Sequence, residues 1–180
     1  DALVGAAEET TSGLRPLRSF DLRIPVMASN DARSKTLFDN AYGTGQSCWT
    51  TILDLVDPRG VGAPVAGMSV VVIGYGDVGR GCARFGAALG ARVTVVELDP
   101  VRALQASMDG FAVASLEEAA ASAGMLMSAT GERATIPLSA LEAAPEGAIV
   151  TVAGGVDGEV SIDEAVAASW VMAESGDPHV

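Results

Sequence analysis

Residues 68–79 read Met-Ser-Val-Val-Val-Ile-Gly-Tyr-Gly-Asp-Val-Gly, and this stretch decides the fold. Its first six residues form a continuous apolar run rich in β-branched side chains, which is typical of a strand buried on both faces of a parallel sheet. The three glycines that follow have the spacing Gly-x-Gly-x-x-Gly, at which such a strand turns sharply into a helix. The glycine spacing alone is a weak signal, but a strand before it and a helix after it are the context that dinucleotide binding requires.

Each residue of the loop has a physical role in this interpretation. Gly74 permits the tight turn, Gly76 lets the backbone approach a pyrophosphate, and Gly79 lets the helix pack closely on the strand. The helix that begins at Asp77 and continues through Val78 offers free N–H groups and a positive dipole end to the phosphates. We therefore predict that these five residues bind a dinucleotide, the alternative being glycines that only form a tight turn.

Glu97 supplies the acidic half of the dinucleotide fingerprint. It is the last residue of a predicted second strand over 92–97, where its carboxylate should accept hydrogen bonds from the adenosine ribose hydroxyls. A carboxylate there repels a 2′-phosphate, which favours NAD over NADP, although the nearby basic Arg102 weakens this preference. The alternative is a solvated strand end with no ligand.

Strands and helices alternate through the rest of the chain. We predict helices over 77–89, 99–108, 137–143 and 162–167, with a further helix that opens at Ser115 in a capping box. Strands are predicted over 111–114, 125–129, 148–153 and 170–172. This alternation indicates an α/β fold, a Rossmann-like, doubly wound parallel sheet with helices on both faces and right-handed crossovers.

Two of these strands end in small residues. Because ligands bind at the carboxyl ends of strands in such sheets, small residues there leave room for a nicotinamide ribose. Ordinary turns are the alternative. The residues assigned to the cofactor on this argument are Ala129, Thr130, Gly131, Ala153 and Gly154.

The segment before residue 68 is less regular. Residues 1–34 are polar and irregular, with a short strand over 22–27 that Pro25 interrupts. Residues 35–56 are predicted to form a helix with a glycine break, which ends at 57–60. Its apolar side would comprise Phe38, Trp49, Ile52, Leu53 and Val56.

Composition and charge exclude several classes of function. The net charge of −12 makes nucleic acid an improbable partner, and no apolar run approaches the roughly 18 residues that span a bilayer. Cys48 and Cys82 lack the spacing of a metal site and are expected to be reduced, buried thiols in a cytoplasmic protein. The single histidine, His179, lies next to the C-terminal residue, so no central histidine is available as an acid or base.

Several segments together resemble the S-adenosyl-L-homocysteine hydrolase (adenosylhomocysteinase) family, from Glu8 to about Asp163. General dehydrogenases share the glycines but lack the Lys-x-x-Phe-Asp-Asn block. The segments are Glu-Glu-Thr-Thr-Ser-Gly at 8–13, Asn-Asp at 30–31 through Ser-Lys at 34–35, Phe-Asp-Asn at 38–40 through Tyr-Gly at 42–43, Gly-Tyr-Gly-Asp-Val-Gly-Arg-Gly-Cys-Ala at 74–83, and Glu-Leu-Asp-Pro at 97–100 followed by Ala-Leu-Gln-Ala at 103–106.

The resemblance implies a redox-assisted hydrolysis. The family oxidises the 3′-hydroxyl of the substrate's adenosine with tightly held NAD, which acidifies the C4′ proton, so that homocysteine leaves, water adds and the hydride returns. By position, Lys35 and Asp39 would contact the ribose hydroxyls and assist the oxidation, and Glu9 would hold the hydroxyls. Thr10 and Thr11 would lie between substrate and nicotinamide, and Asn40 would line the cofactor. Lys35 and Asp39 could otherwise form an ordinary exposed ion pair on a helix.

The sequence also departs from the family pattern. Thr44 stands where the family has a cysteine, Arg102 where it has an asparagine, and Gly155 where it has a histidine. The family's large N-terminal substrate domain is missing, as is the C-terminal tail that reaches a neighbouring subunit's cofactor. We therefore expect a hinge segment over 1–34 from a substrate-binding part and an NAD-binding domain over 35–180.

Three functions remain open at this point. The first is the NAD-binding domain of an adenosylhomocysteinase-like enzyme for a nucleoside-type substrate, completed by a missing substrate domain or a homo-oligomer; the start at Asp1 without Met favours a piece of a longer protein. The second is a divergent NAD-dependent oxidoreductase or epimerase acting on a nucleoside or a related secondary alcohol. The third is a non-catalytic NAD-binding module, against which the retention of Glu9, Lys35 and Asp39 argues.

Overall fold

The computed structural model describes residues 3–57 and 64–173 and contains two parallel sheets with helices between the strands. His179 and residues 58–60 of the expected helix end lie outside the described residues. The strands are β1 Ala6–Glu8, β2 Val26–Ala28, β3 Ser69–Ile73, β4 Arg92–Val96, β5 Ala112–Val113, β6 Met125–Ser128 and β7 Ile149–Val152. The α-helices are α1 Thr11–Leu17, α2 Gly45–Val56, α3 Asp77–Ala88, α4 Pro100–Met108, α5 Leu116–Ala120, α6 Leu138–Ala143 and α7 Ile162–Ala167; a 3₁₀ turn covers Ser29–Asp31 and a π-helix covers Lys35–Thr44.

The main sheet confirms the predicted Rossmann-like fold. Its five parallel strands lie in the order β5-β4-β3-β6-β7. From β3 the chain winds outward through β4 to β5, then crosses back to β6 and winds the other way to β7. The direction of winding therefore reverses between β3 and β6, and ligands bind in such sheets at the carboxyl ends of the strands next to that reversal.

Both faces of the central strand are covered, as the β-branched run predicted. Val70 and Val72 belong to a core cluster that also contains Trp49, Cys82 and Met127. The alternate residues Val71 and Ile73 belong to a second cluster, which residues of α5 and α6 complete on the opposite face. The two-residue period of a strand thus explains how one run builds two cores.

Helix α2 packs against α3 almost backbone to backbone. A Cβ at Gly45 would lie 2.7 Å from the carbonyl carbon of Gly81, and a Cβ at Gly81 would overlap the carbonyl oxygen of Ala41. Trp49 anchors the same contact, because its buried indole donates a hydrogen bond of 2.8 Å to the Cys82 carbonyl. This close approach brings the helix that begins at Lys35 next to the glycine loop.

The segment before β3 is more regular than predicted. Within the predicted irregular segment 1–34, residues 3–34 contain regular structure, because β1 and β2 form a small parallel sheet and α1 lies between them in sequence. The strand occupies Val26–Ala28 rather than 22–27, since Pro25 has no N–H and contributes only its carbonyl, which accepts from the Ala6 N–H at 3.0 Å.

Two predictions about helices and strands are wrong. Residues 35–56 have no glycine break, because π-helical turns over Lys35–Thr44 continue directly into α2. A period of about 3.6 residues does not hold through π-helical turns, so Phe38 is 63% exposed instead of sharing the buried side of Trp49 and Ile52. The strand expected over 170–172 is also absent, since the Trp170 N–H bonds back to the Ala165 carbonyl and the residues that follow are irregular.

Neither thiol forms a disulfide; Cys82 is buried as expected, whereas Cys48 is only half-buried. No helix in the described ranges combines the length and apolar character that crossing a membrane requires.

The buried side chain of Tyr75 anchors the glycine loop to the core of the domain. Its ring is 1% exposed and packs edge-on against Phe111, and its hydroxyl donates to Asp109 Oδ2 at 2.8 Å. Burial and the neighbouring Asp109 carboxylate raise the pKa of Tyr75, so the hydroxyl stays protonated and remains the donor.

We expect Tyr75→Phe to lower the free energy of unfolding by about 1 kcal/mol, because it removes one hydrogen bond and keeps the ring packing. Urea denaturation would measure the loss. NAD affinity should stay unchanged, since the hydroxyl bonds to Asp109 rather than facing the cleft; a matching loss of affinity would contradict this account.

Candidate functional site

A cleft of about 920 Å³ runs along the carboxyl ends of the central strands. Its walls come from the glycine loop after β3, the end of β4, the loops after β6 and β7, the first residues of α1 and the π-helix. The predicted site residues that line it are Thr10, Thr11, Lys35, Asn40, Gly74, Gly76, Asp77, Val78, Glu97, Arg102, Ala129, Thr130, Gly131, Ala153 and Gly154. Glu9, Asp39 and Gly79 do not line it.

The glycine loop has the shape that a bound pyrophosphate needs. Gly74 has a φ of +95°, which side-chain-bearing residues rarely adopt. Gly79 lies beneath the loop, where a Cβ would overlap the Gly74 carbonyl oxygen. Gly76 caps α3 and has no neighbour closer to its Cβ position than Arg102 Nη1 at 3.8 Å. The free N–H groups at the start of this 12-residue helix therefore face open space in the cleft.

Glu97 is held in place by the backbone around it. Its Oε2 accepts from the Tyr75 N–H at 2.7 Å, and its Oε1 accepts from the N–H groups of Leu98 and Asp99 at 2.7 and 2.9 Å. A carboxylate has about four acceptor positions, so one remains for a ribose hydroxyl. The same carboxylate thus fixes the glycine loop and points a negative charge at the place expected for the ribose.

Arg102 lies across the mouth of the glycine loop. Its guanidinium is close to Gly76, and its Nε lies 3.9 Å from Asp99 Oδ2. The cleft therefore contains both the Glu97 carboxylate and a cation beside the expected phosphates. The sequence alone indicated only that Arg102 is near Glu97 along the chain.

The Lys35 side chain enters the cleft from the π-helix. Its Nζ donates to Asn40 Oδ1 at 2.6 Å and to Asn30 Oδ1 at 3.3 Å, and it lies 3.4 Å from Asp39 Oδ2. Because π-helical winding brings residues five apart close together, the ammonium group lies nearer to Asn40 than to Asp39. Lys35 is 22% exposed and is the only lysine of the chain.

Asn30 was missed as a site residue. Its side chain is 4% exposed and donates to Thr11 Oγ1 at 3.2 Å while accepting from Lys35, so it connects α1 to the π-helix. The available signal was its position in the Asn-Asp segment of the family resemblance.

Glu9 and Asp39, the two acidic residues predicted to act in catalysis, are not among the residues that line the cleft. Asp39 contacts Lys35, but its own side chain is 61% exposed. Glu9 is exposed, and the carboxylate of its neighbour Glu8 accepts from the Thr10 N–H and hydroxyl at 2.8 and 2.6 Å. The hydroxyl and N–H of Thr10 hold the pKa of the Glu8 carboxyl below its usual value.

Helix α1 closes one end of the cleft. Thr10 caps its first turn by accepting from the Gly13 N–H at 3.1 Å. Arg15 reaches across to the loop after β6, where it donates to the Gly131 carbonyl and pairs with Glu132. Residues before the Rossmann unit therefore form part of the same cavity.

Glu159 is the second residue that sequence reasoning missed. Its carboxylate is buried beneath the loops after β6 and β7, and it accepts from groups in both. No motif marks it, because it follows the strand end by several residues within an ordinary turn. Thr44 and Gly155, which depart from the family pattern, both line the cleft.

Taken together, these residues fit a dinucleotide. The glycine loop leaves space that a Cβ atom would reduce, and the start of α3 supplies N–H donors for phosphate. The Glu97 carboxylate has one acceptor position left for a ribose hydroxyl. Lys35 lines the same cavity as the glycine loop, so an ammonium group lies in the cleft that contains the expected cofactor site.

Comparison with known proteins agrees with this geometry. Residues 40–175 match the family model described as S-adenosyl-L-homocysteine hydrolase, NAD binding domain. The chain is 47% identical to adenosylhomocysteinase from Pyrococcus abyssi over 164 residues, which are 89% of this chain and 38% of that protein. It is 42% identical to S-inosyl-L-homocysteine hydrolase from Methanothermobacter thermautotrophicus, again over 89% of this chain and 38% of that protein. The chain thus spans about two fifths of the length of these relatives.

Solved structures share the fold at low sequence identity. Dipicolinate synthase A chain from Bacillus subtilis superposes with a TM-score of 0.66 at 16% identity, covering 90% of this chain and 53% of that one. A D-3-phosphoglycerate dehydrogenase-like oxidoreductase from Ralstonia solanacearum superposes with a TM-score of 0.59 at 20% identity, covering 69% of this chain and 45% of that one. These likenesses establish the architecture alone.

Proposed function

Because the chain belongs to the S-adenosyl-L-homocysteine hydrolase family, whose NAD-binding domain it contains, we propose that it forms the NAD-holding part of an enzyme that oxidises the ribose 3′-hydroxyl of a purine nucleoside thioether. The names of the relatives identify two such substrates, S-adenosylhomocysteine and S-inosylhomocysteine. Cleavage to the nucleoside and homocysteine would follow from that oxidation. NAD, when bound, supplies the hydride acceptor.

One observation carries this proposal: Lys35 lines the same cleft as the glycine loop. A domain that only bound NAD would have no need of a half-buried lysine held by two buried asparagines. Once its ammonium group has lost a proton, the Lys35 amine would accept the proton of the 3′-hydroxyl while the hydride on the same carbon leaves. Asp39 and Asn40 would orient the ammonium group, and Glu9 would hold a ribose hydroxyl once substrate is present.

The cofactor residues divide between the two halves of NAD. Gly74, Gly76, Asp77 and Val78 would bind the pyrophosphate above Gly79, and Glu97 with Arg102 would bind the adenosine ribose. Thr10, Thr11 and Asn40 would contact the nicotinamide half together with the small residues at the ends of β6 and β7. This assignment is supported by the cleft that all these residues share except Gly79.

The division of the chain is also proposed. Residues 1–34 would be a hinge to a substrate-binding part, and residues 35–180 would be the NAD-binding domain. The bond from Asn30 to Thr11 and the bond from Lys35 to Asn30 support a hinge that stays in contact with the site. Two unpaired thiols are consistent with a cytoplasmic location.

A divergent oxidoreductase or epimerase is the second candidate. It is favoured by Thr44 and Gly155, which line the cleft where the family has a cysteine and a histidine. Such an enzyme would keep the 3′-oxidation through Lys35 and lack the hydrolytic steps. A nucleoside or a related secondary alcohol would then be its substrate.

We expect the 180-residue chain to bind NAD and to leave S-adenosylhomocysteine uncleaved. Calorimetric titration with NAD measures the first, and a thiol assay for released homocysteine measures the second. Incubation with NAD and adenosine then separates the candidates, since growth of the near-ultraviolet band of reduced nicotinamide reports 3′-oxidation. Bound NAD with no growth of that band would favour a non-catalytic module, and failure to bind NAD would overturn the proposal.

A further inference from the structure

The Glu159 carboxylate is the most deeply buried acidic group described in the fold. The residue is 1% exposed, and within the described part of the chain no lysine or arginine forms an ion pair with it. Burying a carboxylate without a cation is costly unless hydrogen bonds compensate it. Its surroundings therefore need a physical explanation.

Its hydrogen bonds come from the two loops that line one end of the cleft. Oε2 accepts from the Ser128 hydroxyl, from the Gly131 N–H at 3.3 Å and from the Thr130 hydroxyl at 3.5 Å. Oε1 accepts from the Val156 N–H at 3.4 Å. Each oxygen thus accepts from a backbone N–H group, which can only donate.

The carboxylate also fills the space beneath the loop after β7. A Cβ at Gly154 would overlap Glu159 Oε1, so the backbone of that loop rests directly on the acidic group. Gly131 and Gly154 line the cleft on their other side. One side chain therefore ties together the strand-end loops assigned above to the nicotinamide half of the cofactor.

We propose that Glu159 is a positioning residue for the nicotinamide end of the site, and that its buried negative charge favours the oxidised cofactor. The inference rests on the proposed NAD site and deepens it. The tie holds the loops after β6 and β7 at a fixed spacing. The negative charge would attract the oxidised nicotinamide ring, which is positive, and not the reduced ring, which is neutral. The attraction would extend across the loops because a charge in a poorly solvated interior is weakly screened.

The test compares NAD, reduced NAD and ADP as ligands of the wild-type chain and of Glu159→Gln. Glutamine keeps the size of the side chain and removes its charge. We expect the affinity for NAD relative to reduced NAD to fall about tenfold, while ADP, which reaches only the glycine loop and Glu97, binds as before. Calorimetric titration gives all three dissociation constants without any turnover.

Ser128→Ala is the matched control, because it removes one hydrogen bond and leaves the charge. It should weaken NAD and reduced NAD to the same extent and keep their ratio. If Glu159→Gln also keeps the wild-type ratio, or weakens ADP as strongly as NAD, the inference is overturned. If the wild-type chain fails to bind NAD, the proposed function fails instead, so the two outcomes are distinguishable.

Glu159→Asp provides a second route if the glutamine variant does not fold. Aspartate keeps the charge but is shorter by one methylene, so its bonds to the two loops should lengthen or break. We expect weaker NAD binding with unchanged ADP binding and an unchanged preference for the oxidised form. Unchanged NAD binding by a folded Glu159→Asp protein would contradict the positioning role.

Discussion

Gly79→Ala is expected to weaken NAD binding by about 100-fold or more, the largest effect on affinity predicted for a single methyl group in this chain. The added Cβ would overlap the Gly74 carbonyl oxygen, so the loop must move away from α3. Losing two charge-assisted bonds from backbone N–H groups to phosphate, at about 1.5–3 kcal/mol each, accounts for that loss. Forcing a methyl group into this contact should also cost about 1–3 kcal/mol of folding stability.

Gly76→Ala is the matched control for that substitution. Gly76 has an ordinary φ of −72°, and the nearest atom to its Cβ position is 3.8 Å away. We expect less than about 1 kcal/mol of lost stability. NAD affinity should still fall by about tenfold or more, because the methyl group would occupy the space through which the pyrophosphate approaches.

Thermal unfolding and calorimetric titration of both variants separate the two effects. Gly79→Ala should lose stability and affinity together, whereas Gly76→Ala should lose affinity alone. Wild-type NAD binding by a folded Gly79→Ala protein would contradict the role assigned to the close contact between loop and helix. Wild-type binding by Gly76→Ala would show that the pyrophosphate does not approach the backbone there.

The Rossmann architecture could be predicted because it depends on local patterns. The run from Met68 to Ile73, the spacing of the glycines and the capping box at Ser115 each act over a few residues, and the structure confirms all three. The order of the strands in the sheet was not predicted and comes from the structure. Residues that line the cleft at strand ends, such as Thr130 and Gly154, could be predicted because ligands bind at the carboxyl ends of strands in such sheets.

Other parts of the site depend on packing between distant segments. The π-helical turns that place Asn40 against Lys35 occur where α2 and α3 approach at Gly45 and Gly81, and no local periodicity encodes that approach. Glu159 is similar, because its role depends on two loops that meet only in the folded chain. An acidic residue in a turn gives no sign in sequence that it will be buried.

Lys35→Ala is expected to abolish oxidation of the ribose hydroxyl, with a loss of about 100- to 10,000-fold, the range for removing a general acid or base. The lysine faces the cleft and is held by Asn30 and Asn40, and no second lysine exists in the chain to replace it. NAD affinity should change little, because the phosphates and the adenosine ribose are bound by the glycine loop and Glu97. The measurement is the rate at which the absorbance of reduced nicotinamide grows with adenosine as substrate, normalised to bound NAD.

Arg18→Ala supplies the matched loss of a cation, since Arg18 pairs with Asp31 at 2.8 Å on the exposed surface and does not line the cleft. That variant should oxidise adenosine at the wild-type rate. If Lys35→Ala also retains the wild-type rate, the lysine forms only the surface ion pair that its spacing from Asp39 allows. A Lys35→Ala protein that loses NAD binding as well would instead assign the side chain to the cofactor, because the catalytic role requires NAD to stay bound when oxidation stops.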